Sequence, residues 1–239
     1  MKKQLLVRAQ LLVTVLGLSS PVFADDQGAC NIDATLVQKI QKQLLTVVTQ
    51  NNGGLFSPNR MWSAVVDRNG VLCSVVRNSA DAWPGSRSIA IAKASTANDF
   101  SNNQLALSTA NLYSFTQPAN SNSSGITFPA GSLYGLNNSN PFNPAFQPQG
   151  TGAGQVPGGI ITFGGGVPLY RNGQVIGGLG VSGDTACADH AIAFRMRKAV
   201  GLDGTPGGAG SDNIVYLNVG ELPHDLGHPH CKVGTDITP

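Results

Sequence analysis

Several chemistry-bearing motifs are missing from this sequence: it has no CxxC pair, no HExxH, no GxSxG and no GxxxxGK[ST]. Their absence argues against zinc-ribbon, heme-c and thioredoxin sites, zincin and serine-hydrolase arrangements, and a P-loop. Charge is also scarce, at 12% of 239 residues. Beyond residue 24 no apolar run is long enough to span a bilayer. Residues 1–24 are predicted to be a secretory signal, with basic MKKQLLVR, apolar LLVTVLGL and a small-residue end at Ala24. Removing it takes away Lys2, Lys3 and Arg8 and leaves 12 basic residues against 13 acidic ones. A net charge near zero gives no support for a nucleic-acid partner. The mature chain, residues 25–239, is expected to be exported to the periplasm or the extracellular medium as one domain. At this length it buries roughly 70% of the unfolded chain's surface.

What is present begins with four cysteines, Cys30, Cys73, Cys187 and Cys231, all in the mature chain. An even count in an exported protein predicts two disulfides, with three connectivities open. Asn31 or Asp33 caps a predicted first helix to about Gln50, with an apolar stripe at Leu36, Val37, Ile40, Leu44, Val47 and Val48. Asn69-Gly70 and Asn172-Gly173 each sit between β-rich runs and predict hairpins. Two helices are expected at 86–100, capped by Ser86, and at 103–115. At least three strands are expected within 158–182, a helix from about Thr185 to Val200, and a last strand near 212–219. Arg195, Arg197 and Lys198 then complement that helix's dipole. Residues 116–156 form an Asn/Gly/Pro-rich insertion, in which Phe128, Leu133, Tyr134, Phe142 and Phe146 favour an ordered surface loop over a linker. The hairpins exclude a parallel βαβ sheet. The expected class is α/β (α+β), an antiparallel sheet of about five strands flanked by helices.

The stretch GGLGVSGDTACADHAIAF, residues 177–194, concentrates the candidates. In strand geometry Gly178 and Gly180 share one face, bare enough for a helix, another strand or a flat ligand to approach. A dinucleotide site would need GxGxxG after a parallel strand, which the hairpins deny. Asp184 reads as a helix cap or as a ligand-facing group at a helix N-terminus. Cys187 and His190 share a helix face, and in an exported chain Cys187 reads as a disulfide partner before a nucleophile. In the tail, His228 and His230 are candidate metal ligands on one strand face, with His224 and Asp225 nearby.

SRSIAIAKASTANDF carries KAxTAxxF at Lys93, Ala94, Thr96, Ala97 and Phe100, and is followed by TFGGGVPLYRNGQVIGGLGVSGDT. In this combination the chain resembles the HbpS/GlcG-like family of heme-binding proteins over about residues 33–202. The NLYSFTQP…GSLYGLNNSNP insertion, the GDTACADH helix start and the GHPHC tail extend the likeness to exported relatives. The resemblance implies a profilin-like three-layer fold, frequent homo-oligomers and heme binding in some members, for storage, sensing or accessory redox work. It carries over no catalytic mechanism. It also implies the pairing Cys187–Cys231, with Cys30–Cys73 by default, which would tether the tail near His190.

Heme asks for a flat apolar slot, an axial donor and partners for its propionates. The candidates here are the Gly178/Gly180 face; His190, His228, His230 or Tyr170 as axial atom; and Lys93, Thr96, Arg87, Asp184 or the Thr185 helix end around the cofactor. The expected function is therefore an exported heme-binding protein, more a binding protein than an enzyme. The alternatives are an accessory oxidoreductase or peroxidase-like enzyme, and a structural module without cofactor.

Overall fold

A computed structural model of the protein describes residues 29–121, 127–128, 130–135, 152–218, 220–231, 236–237 and 239. The predicted signal and much of the 116–156 insertion, Phe142 and Phe146 included, lie outside the described residues. Helix α1 (Ala34–Val47) starts as predicted: the Asp33 carboxylate accepts from the Leu36 amide at 3.1 Å. Asn52 closes its far end with a 2.7 Å bond to the Val47 carbonyl. Strands β1 (Trp62–Asp67) and β2 (Leu72–Arg77) form the first hairpin, and α2 (Ser86–Asp99) follows. Gly85 holds the N-cap position of α2 with no side-chain cap, so Ser86 is its first helical residue and not its cap.

Two short pairs stand apart from the main sheet. β3 (Asn120–Ser121) runs antiparallel to β4 (Thr127–Phe128) inside the insertion. β5 (Gly166–Arg171) and β6 (Gln174–Ser182) form the second hairpin, with Asn172 and Gly173 both at positive φ, as an Asn-Gly turn requires. Thr185 caps α3 (Ala186–Ala199) by accepting from the Ala188 amide. In the tail, β7 (Val215–Tyr216) pairs in parallel with β8 (Gly227–His228).

The main sheet has the order β2-β1-β6-β5, antiparallel throughout. It has four strands where about five were expected, because residues 158–165 run as a loop into β5. Helices α1 and α3 cover one face and α2 the other, which gives the three layers. Val65, Val167, Leu169, Leu179 and Val181 pack towards α1 and α3, while Trp62, Ala64 and Val66 meet Ala90 and Ala94 of α2.

The bare face of β6 belongs to α2. A methyl group on Gly180 or Gly178 would run into the carbonyl oxygens of Ala90 and Ala94. Helix backbone therefore fills the slot expected for a flat ligand, and of the three possible occupants the helix is the one found. The letters GxGxxG do occur at 178–183, but within an antiparallel strand and its exit turn.

The predicted helix at 103–115 is replaced by turns and one 3-10 turn at Ser114–Thr116. Its polar side chains bind nearby backbone instead. Asn102 accepts from the Gln104 and Leu105 amides, Ser101 from Leu107, and Asn111 from Ser108. Thr109 then ties the segment to β5: its amide donates to the Gly166 carbonyl, and its hydroxyl accepts from the Gly166 amide at 2.8 Å. Arg197, expected to complement the dipole in the last turn of α3, turns inward and is fully buried, with Nη2 2.7 Å from Asp212.

Candidate functional site

The described chain forms the disulfides Cys30–Cys73 and Cys187–Cys231. The second fastens the tail to the first turn of α3. There the tail, the loop into β5, α2 and α3 converge on four buried titratable side chains: Lys93, Asp189, His190 and His228.

Lys93 points from α2 into this junction. Its Nζ lies 2.7 Å from Asp189 Oδ2, donates to the Val181 carbonyl at 3.2 Å and sits over the Phe163 ring. The other oxygen of Asp189 accepts from the Asp184 amide at 2.9 Å, so one carboxylate both pairs a buried cation and steadies the start of α3. Burial pushes the Asp189 carboxyl up to about 6 against the pull of Lys93, and lowers Lys93 against the pull of Asp189. Gly165, at φ +124°, passes so close that a side chain there would meet Lys93 Nζ and Asp189 Cβ. The Lys93 ammonium is thus committed inside the domain and does not await a propionate.

His190 is also fully buried, on α3 beside Phe194 with ring centroids 5.9 Å apart. Its Nε2 is 3.1 Å from the amide oxygen of Asn213, which also accepts from the Ile214 amide at 2.8 Å. The Ile214 amide also lies 3.2 Å from His190 Nε2, so the ring has two tautomers to choose between; in the one we assign, the amide proton goes to the nearer Asn213 oxygen and Nε2–H donates to that oxygen as well. Nδ1 then keeps a free lone pair, and it has no hydrogen-bond partner among the described residues. Burial depresses the imidazole to about 3, so it is neutral across the physiological range.

His228 differs: both its nitrogens are used. Nδ1 donates to the Pro229 carbonyl at 2.7 Å, and Nε2 accepts from the Gly164 amide at 3.2 Å. It packs at a tilt on Tyr113, and burial lowers it to about 4. This imidazole seats the tail and offers no free nitrogen for iron.

Other expected ligands have structural work. Asp184 accepts from the Leu55, Phe56 and Thr185 amides and from Asn59 Nδ2, so its carboxylate organises loop 53–59 just ahead of α3, and the cap itself is Thr185. The Thr96 hydroxyl bonds Ala92 and accepts from the Ile161 amide, pinning the loop into β5 onto α2. Arg87 is buried on the α2 side near the Trp62 ring, and burial lowers it to about 10. The Tyr170 hydroxyl donates to the Asn102 carbonyl at 2.6 Å. His230 lies at the surface, stacked on Tyr216 with Nδ1 against Asp236. A cleft of about 720 Å³ lies elsewhere, beside Cys30, Val37, Gln38 and Cys73, and contains no histidine. Of the expected set, the structure brings Lys93, His190 and His228 together; Gly178, Gly180, Arg87 and Asp184 lie outside that junction.

Residues 33–197 match the family described as "Haem degrading protein HbpS-like". The chain belongs to the HbpS-like family. Among solved structures it is similar to Klebsiella pneumoniae protein ORFY, at 26% identity and a TM-score of 0.50, over 74% of this chain and 94% of that one. It is also similar to the PduOC:heme complex, at 24% identity and a TM-score of 0.50, over 72% of this chain and 96% of that one. A double mutant of Streptomyces reticuli HbpS gives 16% identity and a TM-score of 0.45, over 82% of this chain and 99% of that one. No curated protein matches the chain.

In this HbpS-like chain the family match ends at residue 197, so Asp212, Asn213 and His228 are contributed from beyond it. Sequence reasoning passed over Asp189, Asp212 and Asn213. A lysine inside the Ala-rich α2 was a signal for a buried counter-ion, and Asp189 directly precedes His190.

Proposed function

We propose that this HbpS-like chain is an exported heme-binding protein in which His190 Nδ1 supplies the axial nitrogen. The observation that carries the reading is that nitrogen: a buried, neutral donor with no hydrogen-bond partner among the described residues, on an imidazole whose other N–H is held by Asn213. A ligating imidazole generally gives its second N–H to an oxygen acceptor, which fixes ring orientation and tautomer. Asn213 fills that role, and the depressed basicity of His190 keeps a proton from competing for Nδ1. Phe194 beside the ring and Gly164 against its Cβ leave the buried imidazole a water-poor surround. Because His190 is fully enclosed, a ligand reaches it only when the cover of Gly164, Asn213 and Ile214 moves. Bound heme would supply an iron centre for ligand binding or electron transfer. The family description supports heme as the ligand, the predicted signal and two disulfides support export, and the family likeness supports self-association.

Hemin titration of the mature protein tests this. The expected result is a Soret shift, weakened at least tenfold by His190→Ala and restored in that variant by added imidazole. Undiminished binding by His190→Ala overturns the axial assignment, and no shift at micromolar hemin overturns heme binding. The word "degrading" in the family description favours one further reading, an accessory oxidoreductase. It predicts that the loaded protein turns over peroxide, or bleaches its own heme with a reductant and oxygen, and that His190→Ala stops this.

A further inference from the structure

The two disulfides each lie beside an acid, and the two settings differ. Cys30 and Cys73 adjoin Asp67, whose carboxylate is already saturated by the amides of Asn31 at 2.8 Å, Asn69 at 2.9 Å and Val71 at 3.0 Å. Cys187 and Cys231 adjoin Asp236: the two sulfurs and a carboxylate oxygen all lie within 4.8 Å of one another. Here a fourth donor is at hand, because His230, next to Cys231 in sequence, has Nδ1 in contact with the same carboxylate. Two sulfurs, one oxygen and one imidazole nitrogen make a four-donor set suited to tetrahedral zinc. Cys187 lies in the first turn of α3, where the free N–H groups favour a thiolate, and its amide already donates to Cys231 Sγ at 2.9 Å.

We propose that, once the Cys187–Cys231 bond is reduced, Cys187, Cys231, His230 and Asp236 bind a thiophilic divalent cation of the zinc class, which replaces the disulfide as the fastener of the tail. A dithiol reductant passes two electrons and two protons to the S–S bond and closes into its own disulfide. On binding, the two new thiols release their protons to solvent and ligate as thiolates. Tetrahedral zinc holds two sulfurs roughly 3.7 Å apart, given Zn–S bonds of about 2.3 Å, so the sulfurs must separate. Cys187 is buried in α3, whereas Cys231 and His230 lie on the accessible tail, and that side supplies the movement. The site is independent of the heme reading, since His190 takes no part in it.

The test is alkylation mapping of the full mature chain, reduced by a water-soluble phosphine with and without Zn²⁺. The phosphine supplies the two electrons and takes its oxygen from water, becoming phosphine oxide as the sulfurs take up protons, and it does not compete as a thiol for the metal. Zn²⁺ is expected to slow alkylation of Cys187 and Cys231 at least tenfold and to leave Cys30 and Cys73 unprotected. His230→Ala and Asp236→Ala are expected to abolish most of that protection. In the Cys30→Ser/Cys73→Ser variant, Co²⁺ is expected to give one equivalent of thiolate-to-metal charge-transfer absorption after reduction and none before. Equal alkylation of all four cysteines with Zn²⁺, protection of Cys30 and Cys73 instead, or protection unchanged in both ligand variants overturns the proposal. Because mapping reads each cysteine directly, it answers even for a reduced chain that has lost its tail contacts.

Discussion

From α1 through Leu202 the chain closes over buried Ile40, Leu44, Leu179, Ile192 and Leu202 itself, whereas the segment beyond Leu202 adds little more apolar anchorage than Ile214 and Leu217. That segment is held at points: Asp212 on Arg197, the Asn213 carbonyl on Asn111 at 3.0 Å, Gly227 on Ser114 at 2.7 Å, His228 on Gly164, and one disulfide. Area holds the domain, and directed bonds hold the tail. Burial of area is cooperative and hard to remove piecemeal, while a directed contact can be lost singly without emptying a core. A site sealed by such contacts can open without unfolding the domain, which is what access to His190 requires.

The contrast is tested hardest where a directed bond lies inside the domain. Asp189→Ala leaves the Lys93 ammonium buried without its counter-ion and is expected to cost about 3–5 kcal/mol in urea unfolding. A loss below about 1 kcal/mol would mean that Lys93 sheds its proton or finds another partner at little cost.

Next in size is the tail. Removing the bridge with Cys187→Ser/Cys231→Ser, across a separation of 44 residues, costs up to about 4 kcal/mol by chain entropy. Because the tail docks through separable contacts, the expected result is local. Amide exchange at Ile214 and Leu217 accelerates strongly, while the amides of α1 keep their protection. Equal acceleration in both places would make tail and domain one cooperative unit.

The smallest effect is that of pH. An unfolded histidine takes up a proton near 6.5, but the folded chain keeps His228 neutral to about 4 and His190 to about 3. Their contribution to stability is complete above 6.5 and is lost as pH falls towards those lower values. Asp189, raised from 3.8 to about 6, acts in the opposite sense between those two values, because the folded carboxyl holds a proton that the unfolded one gives up. Across these three groups the net difference near pH 5 is about one proton. Stability should therefore fall by about 1.4 kcal/mol per pH unit there, and His228→Asn should flatten the slope. A urea midpoint that does not move between pH 6 and pH 4.5 would contradict the assignment of neutral buried imidazoles.

Much of the frame was legible because it rests on local chemistry. Asp33 has the side chain a helix start needs, Asn172-Gly173 adopts the positive φ its turn demands, and the small residues of α2 match the glycines of β6. The failures share a cause. Residues 103–115 have apolar spacing that suits a helix, but Ser101, Asn102 and Asn111 turn their oxygens onto local amides, a competition that hydrophobic periodicity does not register. The site was half legible. His190 and the Cys187–Cys231 pairing stood out, yet Lys93, Asp184 and Thr96 have the donors and acceptors of ligand contacts and spend them inside the fold. Which polar group is spent and which is spare depends on neighbours distant in sequence, and Asn213 is the case that matters most.

Gly164 shows how narrow the margin is. Its amide holds His228 on one side, and on the other its missing side chain leaves room for the Ala186 carbonyl and the His190 Cβ. The gap between helix and tail is one strand of bare backbone thick. A single methyl group at that position would act as a shim: it would lever the tail off α3 while leaving every donor and acceptor in the junction chemically intact. Whether His190 is sealed or open is in that sense set by a thickness, and the chain controls it with its smallest residue.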